Sequence, residues 1–270
     1  MKIKEFINKM NLLQNSLLEF IDEENEIEEK YSNLIQSFNN QNLSENQEEL
    51  KLFFSILSNV SNNHHKTINF WSKIEQIILF FKDDIPKYFN NMDLFDLFHD
   101  NKKLLLFLIE EKLLIINKNI SSKIISYQSK SSKYSRYFLP EIKPFIKNKS
   151  IELPENFEEI RKIGENDSEI CRIIREDSIS DFDGFVKREN FSLTSNINHS
   201  IYETNHFLLQ RKEVSLIEYA AFFGSIQIFK YLISNRVPLN SDLWIFAIHS
   251  NCLEIIQILQ ENNVKAPFSS

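Results

Sequence analysis

The histidines of this chain are its most obvious metal-binding residues, but their spacing does not define a metal site. His64 and His65 are adjacent, and neighbours on a helix point about 100° apart, so the two rings diverge from any shared ion. His199 and His206 lie near Glu203 in a polar segment, where solvated loop histidines are expected. We therefore expect no metal ion and no cofactor.

Covalent catalysis and phosphate binding have equally little support in the sequence. Cys171 lies on an apolar stripe, where we expect a buried thiol, and Cys252 is placed at the start of a helix, where a lowered thiol pKa is conceivable. Gly164, Gly184 and Gly224 are the only glycines. They are too far apart for a phosphate-binding loop. These residues predict a protein that is not an enzyme.

A basic tract over 118–149 is the one strong charge feature, with eight Lys or Arg against a single acid in a chain of net charge -7. Aromatic residues are interleaved with it, which is compatible with binding to phosphates or to another anionic partner. A solvated loop is the simpler interpretation, and the negative net charge makes nucleic acid an unlikely partner. The candidate residues for the anionic alternative are Lys123, Lys130, Lys133 and Arg136.

Composition favours helices as the elements that carry these residues. The chain has 42% hydrophobic residues and 24 Phe but only three Gly and six Pro in 270 residues, too few for the many tight turns of a β-sandwich or propeller. Two cysteines suit a reducing compartment, so we expect a cytoplasmic, or else nuclear, location. The longest apolar run, Leu104–Ile109, is far short of a membrane span.

The N-terminal region has heptad-like periodicity. Apolar residues recur at steps of three and four from Phe6 to Phe38, which predicts one long helix packed on the next, with a dimeric coiled coil as the alternative. A capping-box pattern, Ser44 to Gln47, predicts the next helix start. A further apolar segment ends before Pro86. We therefore predict an N-terminal helical domain over residues 1–90.

Near the C-terminus one phrase occurs twice, 27 residues apart: Ser215–Leu232 and Asp242–Leu259. In the first copy Ser215 and Glu218 form a capping-box pattern, two alanines allow close helix crossing, and Gly224 is suited to a left-handed helix end. The second copy offers Asp242 as the cap, Ala247 as the small residue and Asn251 in place of glycine. The pattern predicts two helical hairpins of the same design.

These phrases resemble the ankyrin repeat, although both copies are divergent. Ser215-Leu-Ile-Glu stands where that family has Thr-Pro-Leu-His, and the shorter interval predicts a stunted or missing β-finger between Ser234 and Ser241. Fainter echoes occur at 94–116 and 157–175, where Gly164 is placed as a further turn residue. The whole chain also looks like a group of divergent ankyrin proteins expanded in some parasitic protists, with a helical N-terminal region before degenerate repeats.

The resemblance implies an all-α fold: an N-terminal helical bundle followed by an ankyrin-like helical-hairpin repeat solenoid over 91–270, clearest at 213–240 and 241–267. It implies a non-catalytic scaffold that binds another protein. The first helices of such hairpins present the contact face, which here would include Tyr219, Phe222, Phe223 and Phe246. Alternatively, these aromatics fill the core between the hairpins.

Overall fold

The computed structural model of the chain describes residues 3–63, 69–127, 132–146 and 152–267. Their regular secondary structure is helical, as the composition predicts. A single bridge between Asn196 and Ser215 is the only β pairing recorded within these residues. The chain divides into two compact units, the first ending at Glu152 and the second beginning at Leu153.

Ten α-helices form the first unit, with short 3-10 turns at Leu43–Glu45 and Lys143–Phe145. Helix α1 packs against α2, α3 and α4, and α3 packs against α6. Phe38, Phe53, Phe54 and Phe81 are buried together in the core of this unit. The helices are α1 Ile3–Asp22, α2 Ile27–Asn40, α3 Gln47–Asn63, α4 Phe70–Phe80, α5 Ile85–Tyr88, α6 Asn91–Phe98, α7 Lys102–Glu110, α8 Lys118–Ser126, α9 Ser132–Tyr137 and α10 Leu139–Ile142.

This unit extends beyond residue 90, where the sequence places the end of the N-terminal domain. Ser58 Oγ on α3 donates to the Leu97 carbonyl at 2.8 Å. Asn101, the N-cap of α7, donates through Nδ2 to the Ser61 carbonyl at 3.2 Å. Helices α6 and α7 are thereby tied to α3 by buried polar groups, which the apolar pattern of the sequence does not reveal.

The heptad-like segment is two helices rather than one. It breaks between α1 and α2 at Glu23, whose Oε1 accepts from the backbone N–H groups of Glu24, Asn25 and Glu26. Those bonds satisfy donors that would be left open at the start of α2. The heptad stripe therefore closes an intramolecular hairpin, with Leu13, Leu17 and Phe20 from α1 and Leu34 and Phe38 from α2 buried.

Two other local expectations are corrected. Helix α3 is capped by Asn46, whose Oδ1 accepts from the Glu49 N–H at 3.2 Å, while Ser44 lies in the preceding 3-10 turn. The tract expected as a loop over 121–135 contains most of α8 and the start of α9. Helix α8 begins after Asn117, whose Oδ1 accepts from the Ile120 N–H at 3.0 Å. Asparagine caps are easily missed in a chain so rich in Asn.

Eight α-helices form the second unit, and six of them make three consecutive pairs: α12 with α13, α15 with α16, and α17 with α18. The first helices pack on one another, α12 against α15 and α15 against α17; the second helices do the same, α13 against α16 and α16 against α18. The eight are α11 Phe157–Ile163, α12 Glu169–Arg175, α13 Ile179–Glu189, α14 His206–Gln210, α15 Leu216–Phe223, α16 Ile226–Ser234, α17 Leu243–Ser250 and α18 Leu253–Glu261.

The turns of the three pairs share one geometry. The first helices α12, α15 and α17 are followed by left-handed Asp177 (φ 49°), Gly224 (φ 66°) and Asn251 (φ 51°). The second helices α13, α16 and α18 are followed by left-handed Asn190, Arg236 and Asn263. After each second helix an apolar residue donates its N–H five residues back, Phe191 to Val186, Val237 to Leu232 and Val264 to Leu259, the bond of a Schellman turn.

The predicted caps of the twin phrase fare differently. Ser215 and Glu218 form the capping box in full, and Gly224 and Asn251 end their helices in the left-handed conformation. Asp242 is not a cap. Its backbone is already helical, and Asn240 Oδ1 instead accepts from the Leu243 N–H at 3.2 Å. The connection over 235–242 contains no strand.

The fainter echo at Asn101 also differs from its supposed counterpart Asn251. Asn101 has an extended backbone and caps the start of α7, whereas Asn251 is left-handed and ends α17. The echo at Gly164 is real as a turn, because Gly164 ends α11 with φ 77°. The pair that matches the twin phrase is nevertheless α12 with α13, whose turn residue is Asp177.

Candidate functional site

The four aromatic residues predicted as partner contacts belong mainly to the core of the second unit. Tyr219, Phe222 and Phe246 are fully or almost fully buried, and Phe223 is half-buried. They lie on α15 and α17, which pack against each other. This corrects the contact-face interpretation: three of the four rings hold the first helices together, as the alternative from the sequence proposed.

The face beside these helices is covered by α14, a short helix in the connection between α13 and α15. Asn205 caps it by accepting from the Leu208 N–H at 3.3 Å. Phe207 stacks in parallel on Phe222, with ring centroids 5.5 Å apart, and meets Phe246 edge-on at 5.1 Å. Its ring also lies 4.0 Å from that of His249. The chain therefore supplies its own aromatic side chain to the predicted contact face.

Arg211 completes this surface. Its guanidinium lies 4.6 Å from the centroid of the Phe207 ring and 5.4 Å from that of Phe246, distances at which a cation is attracted to an aromatic face. The same group approaches Asp242 at 3.9 Å. We define the Phe207 cluster as Phe207, Arg211 and His249, which are all half-buried. Partly exposed aromatic and arginine side chains of this kind dominate binding energy at protein interfaces.

Backbone pairing holds the connection that carries α14 in place. The Ile197 N–H donates to the Val214 carbonyl at 2.8 Å, and the Leu216 N–H donates to the Ser195 carbonyl at 3.2 Å. Farther along the connection, Thr204 donates through both its N–H and its Oγ1 to the carbonyl of Gly164. These bonds fix both ends of the segment, so Phe207 is presented on a defined backbone.

A buried polar network lies beneath the connection. Arg175 donates to the Tyr219 hydroxyl at 2.8 Å and to the Asn166 carbonyl at 2.9 Å, and it pairs with Glu165 at 2.7 Å. Burial raises the pKa of Tyr219 far above its usual range. These charge-assisted bonds orient the turn before α12 against α15.

The two cysteines offer no activated nucleophile. Burial raises the pKa of Cys171 to about 11, so its thiol stays protonated at neutral pH, as the sequence predicts for a buried residue. Cys252 is half-buried at the N-cap of α18, but its side chain makes no cap bond. Within the described residues there is also no group of His, Cys, Asp and Glu that could hold a metal ion. His64 and His65 lie outside those residues.

His199 and His206 are placed apart by their hydrogen-bond partners. His199 Nε2 faces the Lys212 carbonyl at 3.2 Å, and His206 at the start of α14 pairs with Gln210 at 2.5 Å. His206 therefore belongs to a helix and not to the solvated loop that the sequence predicts. His249 lies in the last turn of α17, at the helix end where the sequence places it.

The basic tract does not form a continuous free surface in its described part. Lys123 pairs with Asp96 at 2.5 Å, burial lowers the pKa of the half-buried Lys133, and Arg136 is exposed. Tyr134 donates to the His99 carbonyl at 2.7 Å, and burial raises its pKa well above the usual range. Lys130 lies outside the described residues. The tyrosines of this tract therefore pack inward, which removes the stacking platform of the anionic alternative.

Comparison with known proteins adds no relative. No family model, no curated protein and no solved structure matches the chain. No helix among the described residues is long and apolar enough to cross a membrane. The candidate surface therefore rests on the geometry of α14, α15 and α17. Phe207 and Arg211 were missed by the sequence analysis, although Asn205 before an apolar run is a recognisable helix start.

Proposed function

We propose that the chain is a divergent ankyrin-like array whose function is non-catalytic recognition of another protein, in the cytoplasm or the nucleus. One observation carries the proposal: three consecutive helix pairs share the same turn geometry and pack first helix on first helix and second on second. Repetition of one hairpin is the design of binding solenoids, which extend a surface by adding units. The twin phrase in the sequence supports the same conclusion.

The contact surface of this array is the Phe207 cluster and not the four aromatics predicted from sequence. Phe207, Arg211 and His249 are half-buried above Phe222 and Phe246, so they are rigidly supported and still reachable. A preorganised aromatic group beside an arginine offers both apolar area and directional donors. An acidic or aromatic segment of the partner protein is the complementary chemistry.

Affinity capture from the native cell tests this proposal with the full chain as bait. We expect a protein that binds the wild type to be lost with Phe207→Ala combined with Arg211→Gln. Phe145→Ala in the first unit is the matched control, because Phe145 is an aromatic residue that is 42% exposed. Retention of every captured protein by the double variant, or equal loss in both variants, contradicts the proposal.

Folding of the double variant is checked by circular dichroism and by Trp244 fluorescence. Arg211→Gln alone serves if the double variant loses helix, because it removes a surface group and no buried ring. Binding of RNA or anionic vesicles that vanishes as salt is raised would instead favour the basic tract.

A further inference from the structure

The last helix pair leaves apolar side chains exposed on the side away from α15 and α16. Ile248 on α17 is 64% exposed and Leu253 on α18 is 69% exposed. Ile256, one turn after Leu253, is half-buried. We define Ile248, Leu253 and Ile256 as the end face. Three adjoining aliphatic side chains at the edge of a folded unit are an unusual surface for an isolated molecule.

The preceding pair shows what these positions do when they are covered. The 27-residue interval aligns Ile248 with Ala221, Leu253 with Ile226 and Ile256 with Phe229. Ala221 and Phe229 are fully buried, and Ile226 is half-buried. Helices α17 and α18 pack on α15 and α16, so the covered positions are those that meet a following helix pair. The end face is the same interface without its occupant.

The nature of the occupant follows from two differences. Ala221 is small where α17 crosses α15, whereas Ile248 is large at the equivalent position. A further pair in the same arrangement would therefore be held off by Ile248. Two end faces related by a two-fold axis do not meet this obstacle, because the projecting Ile248 of each can pack beside Leu253 of the other.

The surroundings of the end face also suit self-association. Asn251 and Gln257 beside it are exposed and uncharged. Glu254 is ion-paired with Lys230 of α16. A neutral apolar face carries no charge that selects an oppositely charged partner, and it brings no like charges together when it meets itself.

We infer that the end face is a homodimer interface, in which a second copy of the chain covers Ile248, Leu253 and Ile256. This inference goes beyond protein recognition at the Phe207 cluster, because it depends on α17 and α18 and leaves that cluster free. Since each copy carries a net charge of -7, the two repel at long range. Added salt screens this repulsion and should strengthen the dimer.

Sedimentation equilibrium of the full chain from about 1 to about 100 µM tests the inference. We expect a monomer–dimer equilibrium for the wild type that shifts toward dimer as salt is raised from about 0.05 to about 0.5 M. Ile248→Glu with Leu253→Glu should raise the dimer Kd by more than about 100-fold, because four carboxylates would be buried.

Ile115→Glu is the matched control, since Ile115 is also 64% exposed but lies in the first unit; it should dimerise like the wild type. If the double glutamate variant loses helix, Ile248→Ser with Leu253→Ser replaces it. A wild type that stays monomeric over the whole range overturns the inference and assigns the face to another occupant. Dimerisation that survives the double variant, or assembly into open-ended chains, overturns it as well. Capture at the Phe207 cluster is measured separately, so either proposal can fail alone.

Discussion

Helix ends are satisfied locally in the three helix pairs of the second unit and over long distances in helices α1 to α4. Each pair uses a left-handed residue such as Gly224 or Arg236 and bonds within the same turn. In the first unit the buried Lys73 on α4 donates to the Ile21 and Glu23 carbonyls at the end of α1, which are 52 and 50 residues away. Lys9 similarly reaches the Gln41 carbonyl.

The difference teaches which parts of the molecule can form early. A Schellman turn needs only its own helix and the next two residues, so the helix pairs carry their own end signals. The end of α1 is complete only when α4 has docked on it. We therefore expect mutations of Lys73 to act on the whole of the α1–α4 assembly, and mutations of the turns to act on one pair.

Lys73→Met should give the largest loss of stability. It leaves two carbonyls at the end of α1 without their charged donor, which we expect to cost about 3 kcal/mol of unfolding free energy. Trp71 reports on this unit and Trp244 on the other, and they are the only two tryptophans. Urea unfolding of Trp244→Phe and Trp71→Phe backgrounds therefore measures each unit separately.

Lys82→Met is the control for that prediction. Lys82 pairs with Glu111 but is 51% exposed, so its loss should change the unfolding free energy by less than about 0.5 kcal/mol. If Lys73→Met and Lys82→Met have equal effects, the long-range satisfaction of α1 is not a source of stability.

Asp177→Ala should have the next largest effect, because Asp177 links two helix pairs as well as ending α12. Its carboxylate accepts from the Gln227 and Ile228 N–H groups at the start of α16, both at 3.0 Å. Alanine loses these cap bonds and tolerates the left-handed backbone poorly, which together cost about 2 kcal/mol. Urea unfolding followed by Trp244 fluorescence measures the loss.

Asp177→Asn is the matched variant for this position. Asparagine tolerates the left-handed conformation and keeps one acceptor oxygen, so it should lose less than half as much stability as alanine. Equal losses for Asp177→Asn and Asp177→Ala would show that the charge, and not the turn geometry, matters at this link.

Gly224→Ala and Asn251→Gly test whether the two copies of the twin phrase use one turn. Both residues are left-handed, with φ 66° and 51°. Alanine at Gly224 should cost about 1 kcal/mol, whereas glycine at Asn251 should be neutral or stabilise by up to about 0.5 kcal/mol. Trp244 unfolding curves provide the measurement. Destabilisation by Asn251→Gly would mean that the Asn side chain has a role beyond adopting this conformation.

These cases also show how far the sequence can be interpreted. The Ser215 and Glu218 capping box and the Gly224 turn were predicted because a few adjacent residues determine them. The hairpin of α1 and α2 was missed because its break depends on Lys73, which no local pattern connects with Ile21. The all-helical class followed from composition and is confirmed.

The candidate surface was harder to predict than the turns. Tyr219, Phe222 and Phe246 were found by their position in the twin phrase, but their burial depends on α14, which belongs to a connection with no counterpart between the last two pairs. Phe207 lies 15 residues before Phe222 in the chain and stacks on it. An insertion that folds back over its own array cannot be recognised from the periodicity of that array.

Glu23→Gln should give the smallest effect, at the N-terminal side of the junction that Lys73 completes. Backbone N–H groups, that of Asn25 first and then that of Glu26, lower the pKa of Glu23. A carboxyl group whose pKa is lower in the folded than in the unfolded state stabilises the fold above its unfolded pKa, and this stabilisation is lost as the pH falls through the folded pKa. Thermal unfolding should therefore show a slightly lower Tm for Glu23→Gln than for the wild type at pH 7 and equal values at pH 2. Glu24→Gln, at a neighbouring position, should match the wild type at both pH values. A Tm difference for Glu23→Gln that persists at pH 2 would contradict the role of the charge and leave the break between α1 and α2 to Lys73 alone.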